Sequence, residues 1–120
     1  MIVLDQFSRN IFRDSAQAFA QDAMALALAQ EAVSRGCLSE LPSRQQAFLL
    51  MPYMHSESVF IHEQALILFR QVGNEDNLRF EIKHKEIIDR FGRYPHRNAV
   101  LGRSSTLEEQ EFLRQPGSSF

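Results

Sequence analysis

Residues 56–92 read SESVFIHEQALILFRQVGNEDNLRFEIKHKEIIDRFG, and this stretch decides the fold. Ile61, Ala65, Leu68 and Val72 recur at the spacing of one helix face. Gly73-Asn74 then interrupts the pattern, because glycine adopts the left-handed conformation that ends helices. A second helix is predicted from about Asp76 to Phe91, with Phe80, His84, Ile87 and Phe91 on its apolar stripe and Gly92 as its stop. Two helices joined by so short a break fold back on one another as an antiparallel hairpin.

The same reading extends outward. Upstream, Pro42 suits the first turn of a helix whose Ala47–Met51 run is apolar without interruption and so buried on most sides. Pro52 has no N–H to donate, so it kinks or ends that helix. Before it, a helix capped by Asp14 or Ser15 runs to about Arg35 and stops at Gly36, its alanines leaving two slim faces for neighbours. Leu4, Phe7 and Ile11 mark a first helix from Met1 to Phe12, on which Asp5 and Arg9 lie one turn apart. Downstream, Pro95 opens a short helical turn. Ser105-x-x-Glu108 and Thr106-x-x-Glu109 both read as capping boxes for a last helix to about Arg114. The Pro/Gly/Ser stretch 115–120 is expected to fray.

No segment alternates in the manner of a strand with hairpin chemistry at its ends. The expected fold is therefore all-α, with five or six helices over 1–114. The helices opened by Pro42 and Asp76 start 34 residues apart, the tetratricopeptide period. This gives antiparallel hairpins stacked in a tetratricopeptide-like right-handed array. Tyr53 is too bulky for the repeat's small-residue position, so true consensus repeats are not expected.

Composition bounds the function. At 120 residues and 44% hydrophobic content the chain suffices for one core. A net charge of −2 supplies no field to attract nucleic acid or an anionic membrane surface. Phe91 and Tyr94 flank the arginines of 90–103 without interleaving them as base-stacking platforms, which also argues against nucleic acid. No run approaches a membrane span, and no leader pattern opens the chain, so a cytoplasmic location is expected. The one cysteine, Cys37, allows no internal disulfide.

Two polar segments stand out. One is Leu4-Asp5-Gln6-Phe7-Ser8-Arg9-Asn10-Ile11-Phe12-Arg13. The other runs Arg90-Phe91-Gly92-Arg93-Tyr94-Pro95-His96-Arg97-Asn98-Ala99-Val100-Leu101-Gly102-Arg103 and continues through Ser105-Thr106 and Glu108-Glu109. With His55-Ser56-Glu57 and His84 between them, they resemble the mainly bacterial family known as domain of unknown function 924. The resemblance covers nearly the whole chain and implies an all-α, tetratricopeptide-like fold, with no established reaction, substrate or cofactor. Family members usually carry a further N-terminal region of several dozen residues ahead of the Leu-Asp-Gln-Phe segment; if that region supplies part of a core or site, this chain shows half of each, or a partner subunit fills the gap. Such a region, if missing, leaves an apolar face that favours a homo-oligomer.

The candidate chemistry lies in these segments. His84 falls on an apolar stripe, where a core histidine paired with a carboxylate such as Glu57 or Asp5 is the plainer reading. Ser56 can cap the helix that follows it, and Glu57 in the first turn complements the helix dipole. Neither role explains His55. A Ser/His/Glu triad lacks its strand–turn–helix setting. His62 reads as a solvated partner of a nearby acid. The histidine spacings match no metal motif, so neither metal nor cofactor is expected. The arginines of 90–103 either cap helices and pair with acids or form an anion clamp.

Two functions are compatible with this pattern. One is a helical-hairpin module that binds a protein or peptide in a groove. The other is an enzyme or binder of an anionic small molecule. In the second, His55, Glu57 and His84 are the candidate catalytic groups, and Asp5, Arg9, Asn10, Arg93, His96, Arg97 and Asn98 bind the ligand. If instead the polar set is a structural lock, the segments converge but leave no cavity.

Overall fold

The computed structural model of the chain describes residues 16–19 and 21–120. The helix predicted over Met1 to Phe12, and the site candidates Asp5, Arg9 and Asn10, lie outside the described residues. A 3-10 turn, Ala16–Phe19, precedes six α-helices: α1 (Asp22–Ser34), α2 (Cys37–Glu40), α3 (Ser43–His55), α4 (Val59–Val72), α5 (Glu75–Phe91) and α6 (Leu107–Leu113). A second 3-10 turn, Pro95–Arg97, lies between α5 and α6. No strand occurs among the described residues, and the chain is all-α.

The caps explain the boundaries. Ser58 Oγ accepts the Ile61 N–H at the start of α4, and Asn74 Oδ1 accepts the Asn77 N–H at the start of α5. Gly73 and Gly92 end these helices at φ values of 79° and 72°, a conformation that glycine adopts without a Cβ clash. Thr106 and Glu109 form the expected capping box of α6, each side chain accepting the other's backbone N–H.

Two local expectations differ from what is found, and a third is narrowed. The helix predicted to run unbroken into α1 is instead a 3-10 turn followed by α1, and the break sets the Phe19 ring over the Arg97 guanidinium, 4.4 Å from the ring centre. Of the two effects expected of Pro52, a kink or an end, it does not end α3, which continues to His55 with Pro52, Tyr53 and Met54 buried. The α4 cap is Ser58 and not Ser56, whose hydroxyl accepts the Ser58 N–H one step earlier.

The core joins five helices, with α2 contributing through Leu38. Ala29 of α1, Leu50, Tyr53 and Met54 of α3, and Ile61, Ala65 and Phe69 of α4 form one buried cluster, with Leu78 of α5 packed against it. Helix α4 packs on both α3 and α5, and α1 packs on α3. Ala25 and Ala29 let α1 approach closely, whereas Phe48, inside the apolar run of α3, stays 47% exposed. The α3–α4 and α4–α5 connectors are short, so the C-terminal end of α3 and the segment after α5 come together at one end of the hairpins. That end holds the polar residues.

Candidate functional site

Two loops meet there: residues 56–58 after α3, and residues 92–106 after α5. Glu57 is the hinge between them. Its two carboxylate oxygens accept the Arg103 fork, with both bonds at 3.0 Å, and Oε2 also accepts the Tyr94 N–H at 2.6 Å. Burial pushes the Glu57 carboxyl up, but the Arg103 and Tyr94 hydrogen bonds and the charges of Arg97 and Arg103 outweigh it and hold it below its ordinary value. Arg103 Nε donates to Asn98 Oδ1 at 3.0 Å. Asn98 in turn donates to Ser105 Oγ at 3.0 Å.

Glu109 anchors the other end of the network. Arg93 grips its carboxylate with Nε and Nη2 at 2.9 and 2.8 Å. Those bonds, with the Thr106 N–H and Asn98, lower the Glu109 carboxyl to about 2. Arg97 is buried; its Nη2 donates to the His55 carbonyl at 2.9 Å, and its Nη1 lies 3.8 Å from both Asp22 and Glu57. Its guanidinium stands 4.4 Å from the centre of the Phe19 ring and 4.8 Å from that of Tyr94. The three arginines thus face Asp22, Glu57 and Glu109, a charge-balanced lattice that ties the start of α1, the end of α3 and the 92–106 loop to α6.

Beside this lattice is a cleft of about 380 Å³. Phe19, Ala23, Leu26, Pro52 and Leu101 form an apolar wall, and Asp22, His55, Ser56, Glu57 and Arg97 form a polar one. Of the residues singled out by sequence, Glu57 and Arg97 meet at the cleft with His55. Arg93 and Asn98 belong to the lattice behind it. His84 and His96 do not line the cleft; they flank Tyr94, whose ring centre is 5.8 Å from His84 and 6.0 Å from His96.

His84 is 8% exposed, and its Nδ1 donates to the Phe80 carbonyl at 2.6 Å. Among the described residues its partner is this backbone carbonyl; of the two carboxylates expected beside it, Glu57 pairs with Arg103 and Asp5 lies outside the described residues. Burial lowers its pKa to about 4, the Phe80 carbonyl opposes this, and His55, His62 and His96 add to the lowering. His84 is therefore a neutral imidazole at pH 7.

The carboxylate–histidine pair lies elsewhere. His62 is not solvated: it has no exposed surface, and its Nδ1 lies 2.6 Å from Oε1 of the equally buried Glu81. His62 Nε2 sits 2.6 Å from the Ser56 carbonyl and 2.9 Å from the Tyr94 hydroxyl, which itself donates to the Met54 carbonyl at 2.6 Å. Burial raises the Glu81 carboxyl despite its bond to His62. The hydrogen-bond inventory then requires a proton on Nε2, donated to Ser56, and a second between Nδ1 and Glu81. Sequence reading missed Glu81 because it took Phe80, Ile87 and Phe91 as the inward stripe. The buried face of α5 is Glu81, His84 and Ile88, and Phe80 is 51% exposed. The available signal was that His62 shares a face with Ala65 and Phe69, which needs a polar partner from the facing helix.

Among the described residues, no group of three or more His, Cys, Asp or Glu is placed to hold a metal ion. Nor is any described helix long and apolar enough to cross a membrane.

The comparisons with known proteins follow the same outline. The family model described as "Bacterial protein of unknown function (DUF924)" matches residues 1–117. A solved structure, that of the protein of unknown function ATU0120 from Agrobacterium tumefaciens, is similar with a TM-score of 0.89 and 37% identity. The match covers 93% of this chain and 63% of that one, so the chain spans less than two thirds of that neighbour's length. No curated relative matches.

Proposed function

This chain belongs to the DUF924 family of bacterial proteins of unknown function, and we propose that it is a helical-hairpin binding module whose cleft beside Arg97 receives a peptide or protein segment. The observation that carries this reading is the cleft itself. It pairs an apolar wall with convergent polar groups, the make-up of a binding pocket. The lattice of Glu57, Arg93, Arg97, Arg103 and Glu109 fixes the polar wall, so a ligand meets preorganised groups.

A second reading has its own support. Arg97, stacked between two rings in the cleft wall, suits the carboxylate or phosphate of an anionic small molecule. On this reading His55 and Glu57 are the nearest candidates for proton transfer.

Thermal melts of the purified chain with acidic and neutral peptides, phosphate, dicarboxylates and nucleotides test both readings, since a ligand of the native state raises the melting temperature. The control is Ala23→Trp, which fills the cleft from an exposed position on α1 and leaves the lattice intact. A shift seen with the parent and lost in Ala23→Trp supports a cleft ligand, and the class of compound separates peptide from anion. Shifts that persist unchanged in Ala23→Trp, or no shift at all, count against the cleft.

A further inference from the structure

The ring of Tyr94 is buried, and His84 and His96 flank it in a recess that already holds another ring. The Phe120 ring centre lies 3.9 Å from His84, 4.4 Å from His96 and 4.9 Å from Tyr94. The contacts with Tyr94 and His96 are edge-to-face, the arrangement favoured by aromatic quadrupoles. Phe120 itself is 51% exposed, so one face covers the histidines while the other meets water.

Among the described residues, two points fasten this segment: the buried Ser118 and the Phe120 ring. Gly117 turns the chain at φ 79°, and Ser118 Oγ donates to the Leu113 carbonyl at 3.2 Å. Residues 114–117 and 119 are exposed. A segment fastened at Ser118 and at one aromatic ring, with exposed residues on either side of Ser118, opens at lower cost than the core.

We propose that His84, Tyr94 and His96 form a binding site for an aromatic ring, and that Phe120 occupies it in cis as a displaceable plug. None of these residues lines the cleft, so the site is distinct from it, although Tyr94 also touches Glu57 and Arg97 of the cleft wall. Beneath the plug, His84 donates through Nδ1 to Phe80, which leaves Nε2 as the acceptor of a neutral imidazole. An aryl guest supplied in trans competes with a tethered ring at high effective concentration, so the intact chain responds weakly.

The test uses the full chain, its Phe120→Ala variant, and N-acetylphenylalaninamide as probe with N-acetylleucinamide as control, followed by histidine ring resonances. In the variant, the aryl amide is expected to shift the His84 and His96 signals saturably, at least tenfold more tightly than in the parent, and the leucine amide is expected to bind more weakly. The His84 titration is also expected to move up from about 4 towards the ordinary histidine range as its cover is removed. In the parent, nuclear Overhauser contacts between the Phe120 and His84 rings provide a check that needs no variant. Absence of those contacts overturns the plug. A Phe120→Ala chain that melts normally yet shows no aryl response overturns the binding site.

Discussion

His62 Nδ1 lies 2.6 Å from Glu81 Oε1, and neither side chain has any exposed surface. Because burial raises the Glu81 carboxyl, the folded state holds a proton there that the unfolded chain gives up at lower pH. The sign follows: this contribution is complete below the ordinary glutamate value of 4.5 and is lost as pH rises through the raised one. Glu81→Gln keeps a donor facing Nδ1 and cannot ionise. It is expected to match the parent in urea unfolding at pH 4.5 and to exceed it at pH 9. A variant with the parent's pH dependence contradicts this account.

His84 works in the opposite direction. Its folded value of about 4 lies below the ordinary 6.5, so its contribution is present above 6.5 and lost as pH falls towards 4. The linkage is worth about 2–3 kcal/mol across that window. His84→Gln is expected to flatten the stability profile between pH 6.5 and 4, as read from denaturant midpoints at constant m-value.

The Glu57–Arg103 fork joins the end of α3 to the loop after α5. Both side chains are about three-quarters buried, and the geometry is bidentate, so a double-mutant cycle of Glu57→Gln and Arg103→Met is expected to give a coupling of about 1–2 kcal/mol. A coupling near zero places the pair with ordinary exposed ion pairs.

Thr106→Ala removes the hydroxyl that accepts the Glu109 N–H and is expected to cost about 1 kcal/mol. Phe69→Ala, in the centre of the core and fully buried, is expected to cost about 3–5 kcal/mol. Chemical denaturation of the two variants checks both the values and their order.

These expectations show which features were legible in the sequence. Local physics fixed the helix ends: Gly73, Gly92 and the Thr106–Glu109 box act over four residues or fewer, and each is where the spacing placed it, whereas Asn74, read as closing one helix, in fact caps the next. The polar segments around Glu57 and residues 93–103 were also visible as clusters of charge at helix ends, where capping and ion pairing explain them as readily as a site. What spacing left open was partnership. Glu57 meets Arg103 across 46 residues, and His62 meets Glu81 across 19, so both pairings depend on how α4 and α5 rotate against each other. A one-position error in the α5 stripe hid Glu81 and made Phe80 look buried. For Pro52 the local sequence left a kink or an end open, and the choice depended on packing that it does not state.

The cleft beside the Glu57–Arg97–Arg103 lattice is proposed above as the place where a ligand binds. The most direct measurement is backbone chemical-shift mapping with whichever compound raises the melting temperature. Perturbations are expected to centre on Phe19, Ala23, Leu26, His55 and Leu101, with the outer faces of α4 and α5 unmoved. Perturbations centred on the groove lined by Arg44, Phe48, Met51 and Asn77, with the cleft silent, would contradict it.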